Sequence, residues 1–313
     1  MITVPVISTD NKLYDRVKAI IDSRAPKAYG VRLFTTPESA EEFLGVPTPE
    51  LIVINFSDTF RLLKALPGDF RFRHSSVIAL CEECATIDRI NALRDVNILV
   101  SLTFADMEKQ LPGILDIINN NRPLLSRSAQ PGRGGVLSGS FRLRNNLFEA
   151  SCCINLICNY LYFSNKLTLE KKYFFHLPLY EMLINAIEHG NCGISYDEKS
   201  RFLERGGCAP DLIQEKCDEP AVASKTVFLT YELHSSYARF VITDQGRGFD
   251  WRTVMRTLSE KDLLRLHGRG ILIARETARS LRFNEKGNEV TLEIGYDSPA
   301  ASACSLPRLA GTV

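Results

Sequence analysis

Leu51-Ile52-Val53-Ile54 is apolar at every position and four residues long. A strand with one solvated face would alternate, so this run predicts a strand covered on both sides. Thr3–Ile7, Val31–Thr35, Val77–Cys81 and Ile98–Leu102 read as further strands. Helical patterns fall between them at Leu13–Ile21, Ser39–Leu44, Thr86–Leu93 and Met107–Asn119. Strands alternating with helices over residues 1–121 predict a doubly wound, flavodoxin-like parallel sheet.

The chain has 313 residues, enough for two domains. Residues 122–137, RPLLSRSAQPGRGGVL, carry Gly, Pro, Ser and Arg without an apolar period and read as a linker. Arg127 and Arg133 there read as solvated. A second domain is expected over 138–297, and 298–313 reads as a flexible tail. The net charge of +1 gives no field toward nucleic acid or anionic lipid, so neither is expected as a partner. The start, MITVPVIST, lacks the basic and apolar regions of a signal peptide. Ala150–Phe163 is apolar but interrupted by Asn155 and Asn159, and reads as a core helix rather than a membrane span. Nine cysteines, an odd number, fit free thiols in a cytoplasmic protein. Cys81-x-x-Cys84 is a lone pair, and Cys192, Cys208 and Cys217 match no common zinc spacing, so all read as free thiols.

In the second half Ser138–Leu143, Thr226–Leu233, Ala238–Thr243 and Val290–Gly295 read as strands. Asn145–Asn159, Glu198–Glu204, Asp211–Cys217 and Leu263–Arg282 read as helices. The helix that matters most is HLPLYEMLINAIEHGN, from His176 to Asn191. Leu179, Leu183, Ala186 and Ile187 form an apolar stripe, while Glu181, Asn185, Glu188 and His189 form a polar one. Asp244-Gln245-Gly246-Arg247-Gly248-Phe249 follows a strand, and His267-Gly268-Arg269-Gly270-Ile271 opens a helix.

These pieces suit a magnesium-bound nucleotide. Magnesium takes a few protein oxygens beside phosphates and water, and the Asn185 side-chain oxygen adds none of its own charge. Glu181, one turn earlier, can accept a proton from an attacking hydroxyl or water. Asp244 at a strand end is a fixed acceptor for an exocyclic amine. Gly246 and Gly248 admit close approach of backbone to base and sugar. Gly268 and Gly270 precede a helix whose first amides can hold phosphate oxygens, and Arg269 adds charge-assisted bonds.

NAIEHGN, ITDQGRGFDW and GRGILIARETA together resemble the N-box and two glycine boxes of the GHKL ATPase superfamily, over Ser138–Gly295. Within it the likeness is to the anti-sigma-factor serine kinases. The resemblance implies an α/β sandwich with a mixed sheet, binding ATP and Mg2+. It also implies Glu181 as general base, Asn185 as metal ligand and Asp244 as adenine reader. Glu188, His189, Gly246, Gly248, Phe249, Gly268, Arg269, Gly270 and Ile271 would line the nucleotide, and Thr291 on the last strand would support the adenine contact. Little lid is expected between Trp251 and His267, as in the serine-kinase branch. The insertion Cys192–Lys225 departs from the pattern and would cover the phosphates or bind a partner.

Residues 1–121 resemble a response-regulator receiver with its chemistry removed. Asn55 stands where that family has the phosphorylated Asp, and Cys81 replaces its hydroxyl residue. The acidic pair is reduced to Asp10, and Val100-Ser101-Leu102-Thr103 lacks the Lys. A pseudo-receiver serving interaction or dimerisation follows, and a homodimer is expected. The function expected is Mg-ATP-dependent phosphorylation of a serine or threonine on a partner regulator. The alternative is a nucleotide-gated module that holds partners without turnover. None of the five histidines is followed by Asp or Glu, which argues against an autophosphorylating histidine kinase.

Overall fold

The computed structural model describes residues 2–24, 28–36, 39, 49–58, 75–91, 93, 96–125, 135–257 and 270–297. It forms two compact units, one of Met1–Ala129 with Ser151–Asn165 and one of Gln130–Ala150 with Lys166–Val313. The expected helix from Ser39 to Leu44 and most of the linker fall outside the described residues. Among the described residues no helix is long and apolar enough to cross a membrane.

In the first unit β1 (Ile2–Ile7), β2 (Tyr29–Phe34), β3 (Leu51–Asn55), β4 (Ser76–Cys81) and β5 (Ile98–Thr103) form one sheet. Its order is β2-β1-β3-β4-β5 and every pairing is parallel. Every residue of β3 and β4 is buried, which explains why neither strand alternates. The helices are α1 (Asn11–Arg24), α2 (Cys84–Asn91) and α3 (Phe104–Asn120). α1 buries Leu13, Val17 and Ile21, one residue per turn. α3 starts where the Thr103 hydroxyl accepts the Asp106 N–H at 3.1 Å. Arg16 of α1 meets Glu108 of α3 at 2.9 Å.

The strand ends of this sheet are closed by neutral donors around one carboxylate. Asn55 donates to the Ser8 hydroxyl at 3.3 Å, and Ser8 donates to Asp58 at 3.2 Å. The Thr9 N–H and hydroxyl also donate to Asp58, at 2.8 and 2.9 Å. Asp58 lies three residues beyond Asn55 and is spoken for by Ser8 and Thr9.

A further helix, α4 (Leu147–Phe163), lies mostly within this unit. Its two polar interruptions are anchors. Asn155 donates to the Leu99 carbonyl of β5 at 3.1 Å, and Asn159 to the Ser76 hydroxyl of β4 at 3.3 Å. A buried carboxamide must find such partners, and these fix how the helix sits on the sheet.

The second unit holds β6 (Leu137–Leu143), β7 (Val227–Leu233), β8 (Tyr237–Thr243), β9 (Ser280–Phe283) and β10 (Glu289–Gly295). The order is β6-β7-β8-β10-β9. All four pairings are antiparallel, where the family resemblance implies a mixed sheet. Val227, Leu229, Tyr231 and Leu233 alternate with less buried residues, as do Ala238, Phe240 and Ile242. One face is therefore covered and the other solvated. On the covered face lies α5 (Leu169–Asn185), whose Phe175 ring sits 5.9 Å from that of Phe240. The Cys192–Lys225 segment carries α6 (Tyr196–Glu204), α7 (Ala209–Cys217) and the single turn α8 (Pro220–Ala223). Then come α9 (Trp251–Thr257) and α10 (Gly270–Thr277), and α10 packs along α5.

One expectation fails here, and one helix is found that the sequence reading lacks. The helix read over Leu263–Arg282 is described only as α10, and Ser280–Phe283 is an edge strand paired with β10. The Arg279 N–H already bonds the Glu293 carbonyl at 2.7 Å, so sheet pairing claims the chain before a further helical turn can form. The helix α9 was not anticipated, although Asp250 before it signals a cap: its carboxylate accepts the Thr253 N–H at 3.1 Å.

Ile54 is fully buried on the central strand of the first sheet. Ile54→Ala is expected to cost about 2–5 kcal/mol, read as a lower urea midpoint of this unit with the second unit's transition unmoved.

Candidate nucleotide site

Glu181 and Asn185 lie one turn apart on α5. Beyond Asn185 the helix widens into a π turn, Ala186–Asn191. Its signature is the Cys192 N–H bonding the Ile187 carbonyl, five residues back, at 2.9 Å. The extra residue in the turn rotates the side chains that follow. The single polar stripe read from the sequence is therefore broken after Asn185. Glu188 is turned inward and is 2% exposed. Both its oxygens meet the Lys199 ammonium, at 2.8 and 2.6 Å. A buried carboxylate requires such a partner, and this one comes from α6. His189 Nδ1 lies 2.6 Å from the Ile194 carbonyl. Burial, the largest influence, lowers the imidazole pKa, so at neutral pH the ring is uncharged and Nδ1–H donates to that carbonyl.

Asp244 sits one residue past β8, where its N–H bonds the Asn288 carbonyl at 2.9 Å. One carboxylate oxygen accepts the Gly246 N–H at 2.7 Å. Burial raises its pKa, and the Gly246 N–H, Lys286 and Lys225 oppose the rise. The backbone of Gly190 lies against the Asp244 carboxylate, so a Cβ there would collide with it. The backbone of Gly246 in turn lies against the Gly190 carbonyl. Gly248 has φ of 77°, a left-handed conformation that favours glycine.

Gly270 brings in the third segment. A Cβ at Gly270 would lie 2.6 Å from a Glu181 carboxylate oxygen and 3.2 Å from the Asn185 amide nitrogen. The start of α10 is thus in backbone contact with both α5 residues. Ile271 beside it is buried, while Phe249 is half exposed and meets Phe283 edge-on at 5.4 Å. Gly268 and Arg269, with His267 and the short lid, lie outside the described residues. The remaining motif residues come together from three separated parts of the chain.

Thr291 does not join them. The register pairs Thr291 with Val241, an odd position of β8, whereas the covered face carries Phe240 and Ile242. Period-two alternation sends its side chain to the face opposite Asp244. The residue across from Asp244 is Asn288, whose amide donates to the Asp244 carbonyl at 2.8 Å.

Sequence reasoning missed a set of carboxamides that hold the loop after Asp244. The Gln245 N–H donates to the Asn191 side chain at 2.8 Å, and Asn191 donates to Asn145 at 2.8 Å. Gln245 accepts the Thr226 N–H at 2.7 Å, and Asn145 donates to the Val222 carbonyl at 3.0 Å. Lys286 donates to the Gly246 carbonyl at 3.0 Å. Asn191 and Gln245 stand inside quoted motifs, and that was the available signal. Asn145 and Lys286 had none.

The donor set fits a magnesium nucleotide. A half-buried carboxylate beside two close-packed glycine backbones offers a fixed acceptor. A carboxamide and a carboxylate one helical turn apart stand beside a helix start.

Because folding raises the Asp244 pKa, the folded chain binds more protons than the unfolded chain between the ordinary carboxylate value and the raised one. Stability therefore falls as pH rises through that window. Asp244→Asn removes the cost while an amide oxygen can still accept from Gly246. The nucleotide-free variant is expected to melt higher than the parent at pH 7. The difference should shrink toward pH 3 in calorimetric scans.

Residues 163–294 match the family model for a histidine kinase-like ATPase domain. A search of curated proteins finds no match. The matched segment runs from the end of α4 to β10 and contains every described motif residue named above. The match supports an ATP-binding signalling role.

Proposed function

We propose that the chain is a Mg-ATP-dependent protein kinase of the anti-sigma-factor type, acting on a serine or threonine of a partner regulator. The observation that carries this reading is the contact of Gly270 with both Glu181 and Asn185. It sets a proton acceptor and a neutral metal ligand beside a helix start, which is where a terminal phosphate is held.

When bound, ATP would supply the phosphoryl group and magnesium would neutralise its charge. Asn185 Oδ1 would hold the metal. Asp244 would accept a hydrogen bond from the adenine amine, and Gly246 and Gly248 would leave room for the base. Gly268, Arg269 and Gly270 would hold phosphate oxygens. Glu181 takes the proton of the attacking hydroxyl. His189 is uncharged, so it orients the Ile194 carbonyl without adding charge beside the phosphates. The first unit serves as a pseudo-receiver that holds partners or a second copy of the chain, in the cytoplasm.

A non-catalytic reading has one observation in its favour. Asn55 offers no phosphoryl acceptor at the end of β3, and the nearby Asp58 is held by Ser8 and Thr9. The second unit could then be a ligand-set switch.

Glu181→Gln separates the two. It is expected to lower phosphoryl transfer to a serine or threonine of the partner regulator by about 100-fold or more. ATP affinity by titration calorimetry should stay within a few-fold. Tight ATP binding with no transfer by the parent protein would leave only the switch.

A further inference from the structure

The Cys192–Lys225 insertion is fastened to the π turn at several points. Lys199 holds Glu188, Lys225 donates to the Asn191 carbonyl at 2.9 Å, and the Ile194 carbonyl meets His189. Its first helix, α6, is fixed by a capping box in which the Ser195 hydroxyl accepts the Glu198 N–H at 3.2 Å and Glu198 reaches back to the Ser195 N–H. Lys216 of α7 meets Glu198 at 2.6 Å and ties the two insertion helices together.

The first residue of that capped helix is Tyr196. Its ring centroid lies 4.3 Å from that of His189. Tyr196 and Lys199 are three apart on α6 and so face the π turn together. Tyr196 nevertheless stays 46% exposed, so one edge is open to solvent. Burial, then Glu188, then Glu181 raise the phenol pKa, and the hydroxyl is protonated at neutral pH. Glu188 is already satisfied by Lys199. The ring thus lies on the π turn that directly follows Asn185.

We propose that Tyr196 is a nucleotide-contact residue contributed by the insertion, and that its hydroxyl donates to the terminal phosphate. The site would thereby discriminate a nucleoside triphosphate from a diphosphate. This rests on the nucleotide reading above and goes beyond the three motifs. The physical need is specific. A proton acceptor such as Glu181 must be ionised, and a terminal phosphate beside it adds like charge. A neutral O–H between them donates to the anion without adding charge, whereas a lysine there would pair with Glu181 and quench its basicity.

The test is calorimetric titration of the parent, Tyr196→Phe and Tyr196→Ala with Mg-ATP and with Mg-ADP, alongside thermal melting of each. Tyr196→Phe keeps the ring on His189 and removes only the hydroxyl. It is expected to weaken ATP about tenfold, leave ADP within twofold and leave the melting temperature unchanged. Tyr196→Ala should weaken ATP at least as much. Equal losses for ATP and ADP would make Tyr196 a packing residue and overturn the proposal, as would no loss in the Phe variant. If the parent bound neither nucleotide, the nucleotide reading itself would fall, a result distinct from either.

Discussion

Two missing side chains let the backbone of the second unit close onto Asp244. Gly190 lets the end of the π turn lie directly on the Asp244 carboxylate, and Gly246 lets the following loop lie on Gly190. Any Cβ at Gly190 would push the carboxylate off its place one residue past β8. The contact of Gly270 with Glu181 and Asn185 repeats the device one turn earlier, at the last turn of α5. Backbone meets functional side chain in each case, so positions are set by main-chain packing rather than by flexible rotamers.

Around those contacts the charges are arranged with care. Glu188 is buried and would be costly alone, but Lys199 neutralises it from the insertion. Asp244 keeps a raised pKa because burial disfavours its charged form by more than the Gly246 N–H, Lys286 and Lys225 favour it. The folded chain thus carries a cost at this carboxylate, a frequent property of groups held ready for a partner.

Much of this was readable from residues. Leu51–Ile54 announced a strand covered on both faces, and the alternation in Val227–Leu233 announced one covered on a single face. The motifs located α5, the turn after β8 and the start of α10, because short sequences with a glycine constraint carry their geometry locally. What failed was non-local. Thr291 was chosen by position on a strand, but only register and parity decide which face a strand residue serves. The π turn left no mark in the apolar spacing, since the apolar stripe ends at Ile187, the second residue of the turn. Ser280–Phe283 went to the sheet because β10 offered an open edge, which no propensity records. Asn155 and Asn159 looked like blemishes in an apolar helix and are its two attachment points to β5 and β4.

The Asn145–Asn191–Gln245 chain has a consequence of its own. Its members are carboxamides, which neither titrate nor attract counter-ions. Their bonds depend neither on ionisation nor on counter-ions, so pH and salt do not act on them directly. The loop after Asp244 is therefore tethered at Gln245 by neutral dipoles, with Lys286 holding the Gly246 carbonyl beside them. A change of pH or salt leaves the Gln245 anchor of that loop in place.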